Sequence, residues 1–406
     1  MDTAPKQPRN WSADLPATGG YREGDPVGHR LFAKVAEGRP LALEGGGTLQ
    51  DITVAYETWG ELSAAADNAI LVCHALTGAS DAANLADGPR TDEGWWQDYI
   101  GPGKALDTDR FFVVCTNVLG GCQGTTGPNS INPATGDYYG PDFPTVTIRD
   151  MVRVQARLAN QLGIDQWMAV VGGSMGGMQV LEWALMFPNR MRAIAPVATT
   201  LAASAWQIGL SAVGRLPITL DPGWNGGWYY DAAPGEGPHA GLATARAIAQ
   251  LSYKSHERFE ERFGRTSVDP TEIFGMWDRF EIESYLDYHG EKLVRRFDAN
   301  SYITLNKAMD LHDVGRARGG IEQAMRRLQV PVFTASVSTD ALYHPYQQAK
   351  IHEVVTAQGG HCEYHVIESN QGHDGFLTEA HAVGPLMADF IDRVDKGTIA
   401  PTGSSA

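Results

Sequence analysis

The chain has 406 residues, of which 43% are hydrophobic, and it carries a formal net charge of −16 at pH 7. This acidic balance argues against nucleic acid as a partner, because nucleic-acid binding depends on neutralising phosphates with Lys and Arg. It argues equally against attachment to an anionic membrane surface. The length permits either two domains or one domain with an inserted segment.

Nothing in the sequence predicts export or a disulfide scaffold. Four cysteines are few for a secreted chain of this size, and Cys73 and Cys115 lie in apolar runs that suit buried, reduced thiols. No apolar run approaches the length of a membrane span, and the N-terminus lacks the apolar stretch of a signal peptide. We therefore expect a soluble, cytoplasmic protein.

Short apolar runs alternate with helical patterns through the first half of the chain, after a polar, proline-rich stretch at residues 1–25 that predicts a flexible arm. Two runs are continuously apolar, as in strands of a parallel sheet covered by helices on both faces. A turn is predicted at Glu44–Gly47, between the first two strands. The predicted elements of this half are strands near 41–43, 52–58, 68–74 and 111–115 and a helix over 150–162.

The pattern changes after a strand predicted at 193–198, in which Pro196 is awkward because it cannot donate a ladder hydrogen bond. The next 125 or so residues are helical in pattern and rich in Trp, Tyr, Arg and Glu, which predicts a cap inserted between two strands. Strand and helix alternation then returns. We predict an α/β fold with a mostly parallel central sheet, its core at 26–199 and 326–395, a helical cap at 200–325 and a flexible tail at 396–406.

The most informative motif is Gly-x-Ser-x-Gly, centred on Ser174. An apolar run at 167–171 precedes it and a helical pattern at 176–185 follows it. In a strand, tight turn and helix of this kind the serine is held on a strained backbone with its hydroxyl exposed. The helix N-terminus also favours negative charge that develops beside the serine. An ordinary glycine-rich turn is the alternative, but the flanking elements favour a nucleophile.

A nucleophilic serine needs a base and a group that orients the base. In chains with this elbow the acid and then the histidine follow the serine. Asp340 follows a predicted strand at 330–337, and His373 lies in a polar loop after another at 364–367. Both therefore fall at the carboxyl edge of the sheet. We assign Ser174 as nucleophile, His373 as base and Asp340 as the orienting acid; a turn aspartate and a solvated loop histidine are the alternatives.

The loop His74–Gly78 follows a predicted strand and suits an oxyanion hole. In this architecture one backbone N–H comes from such a loop and the other from the residue after the serine. We assign Leu76, or a residue next to it, together with Met175. His74 is interpreted as a structural histidine that hydrogen-bonds to the backbone.

Two other clusters carry less chemistry. The glycine-rich loop Leu119–Pro133 follows a strand but matches neither a P-loop nor a dinucleotide fingerprint, and its role stays open. His361, Cys362 and His365 lack a fourth ligand at a sensible spacing, so we predict no metal.

Arg246 stands among small residues in a helical pattern, on the same face as Gln250 and Tyr253. A guanidinium in such a place can hold a carboxylate through two parallel hydrogen bonds, with Tyr253 as a neighbouring substrate contact. A surface ion pair is the alternative for Arg246.

Taken together, these residues resemble the homoserine O-acetyltransferases, a methionine-pathway family of the α/β-hydrolase fold. The resemblance runs from about residue 40 to 390. The motifs that carry it are His74–Gly78, Gly94–Trp96, Ile100–Lys104, Asn117–Asn132, Phe143–Asp150 and Gly172–Gln179.

The resemblance implies roles that the residues alone do not. In that family the triad matches Ser174, Asp340 and His373, while the residues matching Arg246 and Asp374 bind homoserine. It implies a homodimer, an active site deep under the cap, acetyl-CoA as co-substrate and no permanently bound cofactor. The serine would take the acetyl group from acetyl-CoA and pass it to the hydroxyl of L-homoserine.

The triad by itself does not separate transfer from hydrolysis. A serine esterase would turn over simple esters without an amino-acid acceptor, and a non-catalytic binding protein would not react at Ser174. Within the family, succinyl-CoA as donor or serine as acceptor are further alternatives.

Overall fold

The computed structural model describes residues 14–85 and 93–399. Eight strands form one sheet in the order β1-β4-β6-β5-β7-β8-β9-β10. The pairs from β6 through β10 are parallel, and β4 runs antiparallel to both of its neighbours, β1 and β6. The strands are β1 Leu31–Lys34, β4 Thr53–Trp59, β5 Ala69–Cys73, β6 Phe112–Thr116, β7 Ala169–Gly173, β8 Ile194–Val197, β9 Val332–Val337 and β10 Cys362–Ile367. The predicted mostly parallel sheet is confirmed.

The predicted turn at Glu44–Gly47 joins a different pair of strands from the one expected. It links β2 (Leu41–Ala42) to β3 (Thr48–Leu49), which form a separate two-stranded sheet. The strand predicted at 52–58 instead enters the main sheet as β4. A two-residue strand carries too little periodicity to be read from the sequence.

Pro196 does lie inside a central strand. β8 pairs with β7 on one side and with β9 on the other, and Ile194 and Ala198 donate backbone hydrogen bonds toward β9. Pro196 faces the same side and has no N–H to donate, so the ladder loses one bond there. The Pro196 carbonyl oxygen still accepts a hydrogen bond of 2.7 Å from the Thr334 hydroxyl.

Helices cover both faces of the sheet, as the continuously apolar strands predicted. Apolar side chains of α1, α2 and α9 pack on one face, and those of α11 pack on the other. Successive residues of β5 point to opposite faces and are all fully buried. These helices are α1 Ile148–Gln161, α2 Met175–Met186, α9 Pro345–Ala357 and α11 Ala380–Asp395, with a short α10 at Gly375–Thr378 before α11.

Between β8 and β9 the described chain is helical and passes over the carboxyl edge of the sheet. The longest of these helices pack against one another, α3 against α4 and α4 against α6. Where the cap begins and ends, at 200 and 325, stays our proposal. The helices of the segment are α3 Ala205–Leu220, α4 His239–Tyr253, α5 His256–Arg262, α6 Glu281–Val294, α7 Ala299–Asp310 and α8 Ile321–Met325.

The two predicted flexible ends lie partly outside the described residues, which exclude 1–13 and 400–406. The described part of the arm is packed rather than loose. Thr18 donates a hydrogen bond of 2.9 Å to the buried Asp298 carboxylate, and the Gly19 and Tyr21 amides donate to the carbonyls of Phe297 and Cys122. Composition alone missed these backbone contacts. At the other end, residues 396–399 bond back to the last turn of α11.

Two further observations concern membrane-spanning helices and the cysteines. None of the helices in the described parts is both long and apolar enough to cross a membrane. All four cysteines are buried and free, and burial raises the pKa of each thiol.

A buried ion-pair network holds α2 in place. Glu182 on α2 is 1% exposed; its carboxylate lies 2.9 Å from Arg149 of α1 and 2.6 Å from Arg318. Both guanidiniums are also largely buried. A buried charge without its partner is strongly destabilising, because nothing replaces the lost hydration.

Glu182→Ala is therefore expected to lower the free energy of unfolding by about 3–5 kcal/mol, because it leaves the buried Arg318 guanidinium without a carboxylate among the described residues, while Arg149 keeps only Glu44, at 2.6 Å. Urea unfolding followed by circular dichroism measures the change. The matched control is Glu353→Ala, which breaks an exposed pair of 2.8 Å with Lys350 and should stay within about 0.5 kcal/mol of wild type. Equal losses in the two variants would contradict a special role for the buried network.

Candidate active site

Ser174 lies on the turn between β7 and α2, as the motif predicted. Its backbone has φ 58° and ψ −125°, a region that residues with side chains rarely occupy. The glycines permit this turn: a Cβ on Gly176 would collide with the Cys73 carbonyl oxygen, and one on Gly173 with the Phe376 ring. The strained strand, turn and helix expected of a nucleophile elbow is present.

Both backbone groups of Ser174 are hydrogen-bonded, which fixes the strained conformation. Its N–H donates to the Val197 carbonyl at 3.0 Å, and its C=O accepts from the Thr199 hydroxyl at 2.9 Å. The residue is 5% exposed. The hydroxyl is thus presented in a recess whose walls are set by β8 and α2.

Asp340 and His373 are brought together as predicted. The Asp340 Oδ2 atom lies 2.8 Å from His373 Nδ1, and both side chains are almost wholly buried. The other carboxylate oxygen, Oδ1, accepts hydrogen bonds of 2.8 Å from the amides of Leu342 and Tyr343. Asp340 therefore shapes its own turn and orients the imidazole, and the alternative of a solvated loop histidine is wrong for His373.

The remaining ring nitrogen, His373 Nε2, is buried without a hydrogen-bond partner among the described residues. With Nδ1–H donated to Asp340, the tautomer leaves Nε2 as an acceptor. The ring is fixed between aromatic neighbours, with Tyr343 at 5.0 Å and Phe376 at 5.1 Å between centroids. An imidazole held in this way suits a general base.

Tyr343 is a neighbour of the site that the sequence analysis missed. It is fully buried, and burial raises the pKa of its hydroxyl. Ser174 lies close enough to oppose that rise, although the two hydroxyls fall short of hydrogen-bond geometry. The only sequence signal was its position three residues after Asp340, which follows from the aspartate-capped turn.

The loop after β5 forms a tight turn over Ala75–Gly78, with a hydrogen bond of 2.9 Å from the Gly78 amide to the Ala75 carbonyl. Within the described parts of the chain the Leu76 amide donates to no backbone carbonyl. Met175 is the first residue of α2, where an amide has no acceptor inside the helix. Both amides assigned to the oxyanion hole therefore remain available to a ligand.

His74 is a structural histidine, as interpreted. Its Nδ1 lies 2.7 Å from the Ala75 carbonyl oxygen, and its Nε2 accepts a hydrogen bond of 3.1 Å from the Val118 amide. Burial lowers the pKa of the ring, which keeps it neutral. The residue fixes the start of the loop instead of taking part in proton transfer.

A second group of predicted residues gathers beside the triad, where α4 reaches the loop of His373. The Arg246 guanidinium lies 5.0 Å from the Tyr253 ring centre, and Tyr253 lies 6.1 Å from the His373 ring. The surface ion pair considered for Arg246 is absent from residues 14–85 and 93–399. Gln250 turns elsewhere and donates to the Tyr285 hydroxyl at 2.8 Å.

Asp374 is already paired in the structure. Its Oδ2 atom lies 3.1 Å from Lys254 Nζ, and both side chains are mostly buried. No local pattern marked Lys254, because the contact joins residues 120 positions apart. His289 also lies in this group: burial and then the Arg246 charge lower its pKa to about 4, so it is neutral at pH 7.

A mostly apolar pocket adjoins these groups. Its walls come from the loop that carries Leu76, the loop that follows Asp340, and helices α3, α4 and α7. The lining includes Leu76, Tyr253, Tyr302, Leu342 and Tyr343.

The histidines considered for a metal site make structural contacts. His361 pairs with Glu363 at 2.9 Å, and His365 stacks on Phe333. In the described parts of the chain no group of three or more His, Cys, Asp or Glu residues is arranged to hold a metal ion.

The fold and the site define a class. A model of the alpha/beta hydrolase fold family matches residues 68–380. The chain therefore belongs to the α/β-hydrolase fold family, whose elbow, acid and histidine stand in the order found here.

Comparison with individual proteins identifies the family within this fold class. A homoserine O-acetyltransferase of Thermobifida fusca (strain YX) is 49% identical over 377 residues, which are 93% of this chain and 97% of that protein. The crystal structure of homoserine O-acetyltransferase from Bacillus anthracis is 30% identical, with a TM-score of 0.82, over 90% of this chain and 97% of that one. Esterase E22 is equally similar in structure, at 30% identity and a TM-score of 0.82, over 90% of this chain and 100% of that one. The chain belongs to the homoserine O-acetyltransferase family.

Proposed function

We propose that this enzyme moves an acetyl group from acetyl-CoA to the side-chain hydroxyl of L-homoserine, through an acetyl ester on Ser174, and so serves methionine biosynthesis. The observation that supports the proposal is the buried Asp340–His373 pair at the same edge of the sheet as the strained Ser174 turn, with Arg246 close by on α4. The relatives' name supports the reaction. The cytoplasm, where acetyl-CoA is made and thiols stay reduced, remains our predicted location.

In the first half-reaction His373 Nε2 takes the Ser174 hydroxyl proton as the oxygen attacks the thioester carbonyl. Asp340 holds the imidazolium that forms. The oxyanion faces the amides of Leu76 and Met175, where preorganised donors are worth most. The C–S bond then breaks, the thiolate takes the proton from His373, and CoA leaves an acetylated serine.

In the second half-reaction homoserine enters with its carboxylate on Arg246 and its ammonium on Asp374, beside Tyr253. Because Lys254 already occupies one Asp374 oxygen, the ammonium would take the other. His373 deprotonates the substrate hydroxyl, which attacks the acetyl ester. The bond from the acetyl carbon to Ser174 Oγ breaks, Ser174 takes the proton back from His373, and O-acetyl-L-homoserine leaves. The apolar cavity beside the serine favours this acceptor by limiting water around the ester.

The test is mass spectrometry of the protein and its products. Wild type given acetyl-CoA alone should gain one acetyl group on Ser174 and release one equivalent of CoA. Ser174→Ala should lose transfer by at least about a thousandfold while keeping its circular dichroism spectrum. Wild type offered acetyl-CoA and succinyl-CoA together, and homoserine and serine together, should form O-acetylhomoserine as the main product. A succinyl or seryl product would redirect the proposal within the family.

Arg246→Ala is expected to raise the KM for homoserine by about 100-fold or more, because the carboxylate loses a two-pronged cationic partner. The release of CoA in the first turnover should stay within about threefold of wild type. Stopped-flow detection of the free thiol measures that release. The control is Arg265→Ala, a guanidinium on the Phe280 ring outside the proposed site. Loss of the CoA burst in Arg246→Ala would contradict the assignment.

An esterase is the second candidate, and the similarity to esterase E22 favours keeping it. The two reactions share acylation and differ in what attacks the ester. Hydrolysis of nitrophenyl acetate at a rate unchanged by homoserine, with no acetylated amino acid formed, would support the esterase. Diversion of the acetyl group to homoserine would exclude it.

We also propose that the enzyme is a homodimer. One stripe of α3 faces solvent with Val213, Leu216 and Leu220 at 54–71% exposure, and Gly209 continues it one turn earlier. Spacings of four, three and four residues are those of a helix seam that packs on another helix. A second copy, related by a two-fold axis, would cover it with the same stripe.

Sedimentation velocity should give twice the chain's mass for wild type. The double change Val213→Asp and Leu216→Asp places charges in the seam and should give single chains. Val27→Asp, at another exposed apolar residue, is the control and should stay dimeric. A monomeric wild type at micromolar concentration would refute the dimer.

A further inference from the structure

The loop that carries the Leu76 amide is held at three points. At its start, His74 Nε2 accepts from the Val118 amide at 3.1 Å. At its end, the Ser80 amide donates to Asn117 Oδ1 at 2.9 Å. At its apex, the Thr77 carbonyl accepts a hydrogen bond of 2.7 Å from Arg296 Nη1. The first two contacts come from the chain just after β6, and the third comes from the segment after α6.

The glycine-rich loop whose role the sequence left open places Arg296. Gln123 Nε2 donates to the Arg296 carbonyl oxygen at 2.6 Å, and Asn117 Nδ2 donates to the Gln123 carbonyl oxygen at 2.6 Å. Asn117 is therefore bonded both to the end of the oxyanion loop and to the residue that positions Arg296. One connected set of hydrogen bonds runs from the glycine-rich loop to the apex of the turn.

Arg296 fixes the orientation of a single peptide unit. The Thr77–Gly78 peptide is bonded at both ends, since Gly78 N–H donates to the Ala75 carbonyl and Thr77 C=O accepts from Arg296. Because a peptide unit is planar, holding both groups fixes its plane. The Ala75 carbonyl accepts from Gly78 inside the turn, so the Leu76 N–H, which lies trans to that carbonyl across a planar peptide, points out of the turn.

The Arg296 guanidinium brings a positive charge to the apex of this loop. Arg296 is exposed to solvent by surface area, although nearby atoms partly desolvate the guanidinium and lower its pKa, and the Arg246 charge lowers that pKa further by repulsion. A neutral donor would hold a carbonyl without that repulsion. A cation at the apex adds a favourable field where negative charge develops on the substrate oxygen.

We propose that Arg296, held by Gln123, is a positioning residue for the oxyanion hole: it sets the Leu76 amide toward the reacting carbonyl and strengthens the local positive field. This inference rests on the proposed acyl transfer through Ser174. It assigns the glycine-rich loop to transition-state stabilisation, by way of the backbone of Arg296.

The test compares Arg296→Met, Arg296→Lys and Arg295→Met with wild type. Arg295 is the matched control, because it is the neighbouring guanidinium but pairs with Glu291 instead of the Thr77 carbonyl. Arg296→Met should slow acylation by acetyl-CoA about 10- to 100-fold, with KM within about threefold. Affinity for a trifluoromethyl ketone, which forms a tetrahedral oxyanion with Ser174, should fall by the same factor as the rate. Arg296→Lys should recover much of the loss, and Arg295→Met should match wild type.

Other outcomes overturn the inference. An acylation rate in Arg296→Met within twofold of wild type removes the role. A raised KM with an unchanged rate and unchanged ketone affinity makes Arg296 a substrate-binding cation instead. Should Arg296→Met not fold, Gln123→Leu is the second variant. It keeps the Arg296 guanidinium but removes the hydrogen bond to the Arg296 carbonyl. Its acylation rate and its ketone affinity are then expected to fall by the same factor. If wild type forms no acetyl-Ser174, the proposed function fails. The ketone affinities of the variants still measure whether Arg296 positions the Leu76 amide.

Discussion

The site depends on the strained backbone of Ser174 being fixed in one conformation. The backbone of Ser174 occupies a conformation that costs of order 1–3 kcal/mol, and the surrounding structure supplies that energy. Its N–H and C=O are both bonded to the chain around β8, and β7 before it is fully buried. The helix after it is fixed through Glu182. The backbone position of Ser174 is therefore set before any substrate binds, which is what preorganisation requires.

The remaining groups reach that hydroxyl because parallel strands end at one edge. β5, β7, β9 and β10 all point the same way, so the loops that follow them carry Leu76, Ser174, Asp340 and His373 to a common place. The helical segment leaves from β8 and returns at β9, in the middle of this edge. It can therefore lay Arg246 and Arg296 over the triad without disturbing the ladder of the sheet.

What the sequence predicted well was local. Continuous apolar runs marked β5 through β7, and the glycines around Ser174 marked the elbow, since their causes lie within a few residues. The contacts that the sequence did not predict join residues far apart in the chain. Leu15, Ala17 and Thr18 looked like part of a loose arm but are buried against residues near 235 and 298. Lys254 on Asp374 and Arg296 on Thr77 join positions 120 and 219 residues apart, and no periodicity reports such contacts.

The triad is common to hydrolases and transferases, so the choice of acceptor must come from the pocket beside it. Arg246 and Arg296 repel each other across a partly desolvated space, in a chain whose net charge is −16. A carboxylate bound to Arg246 offsets that positive charge, whereas water gains nothing comparable. An acceptor hydroxyl oriented in this way has an effective concentration of about 10⁵ M or more, far above that of liquid water. Binding of a zwitterion, rather than exclusion of every water molecule, would then direct the acetyl group to homoserine.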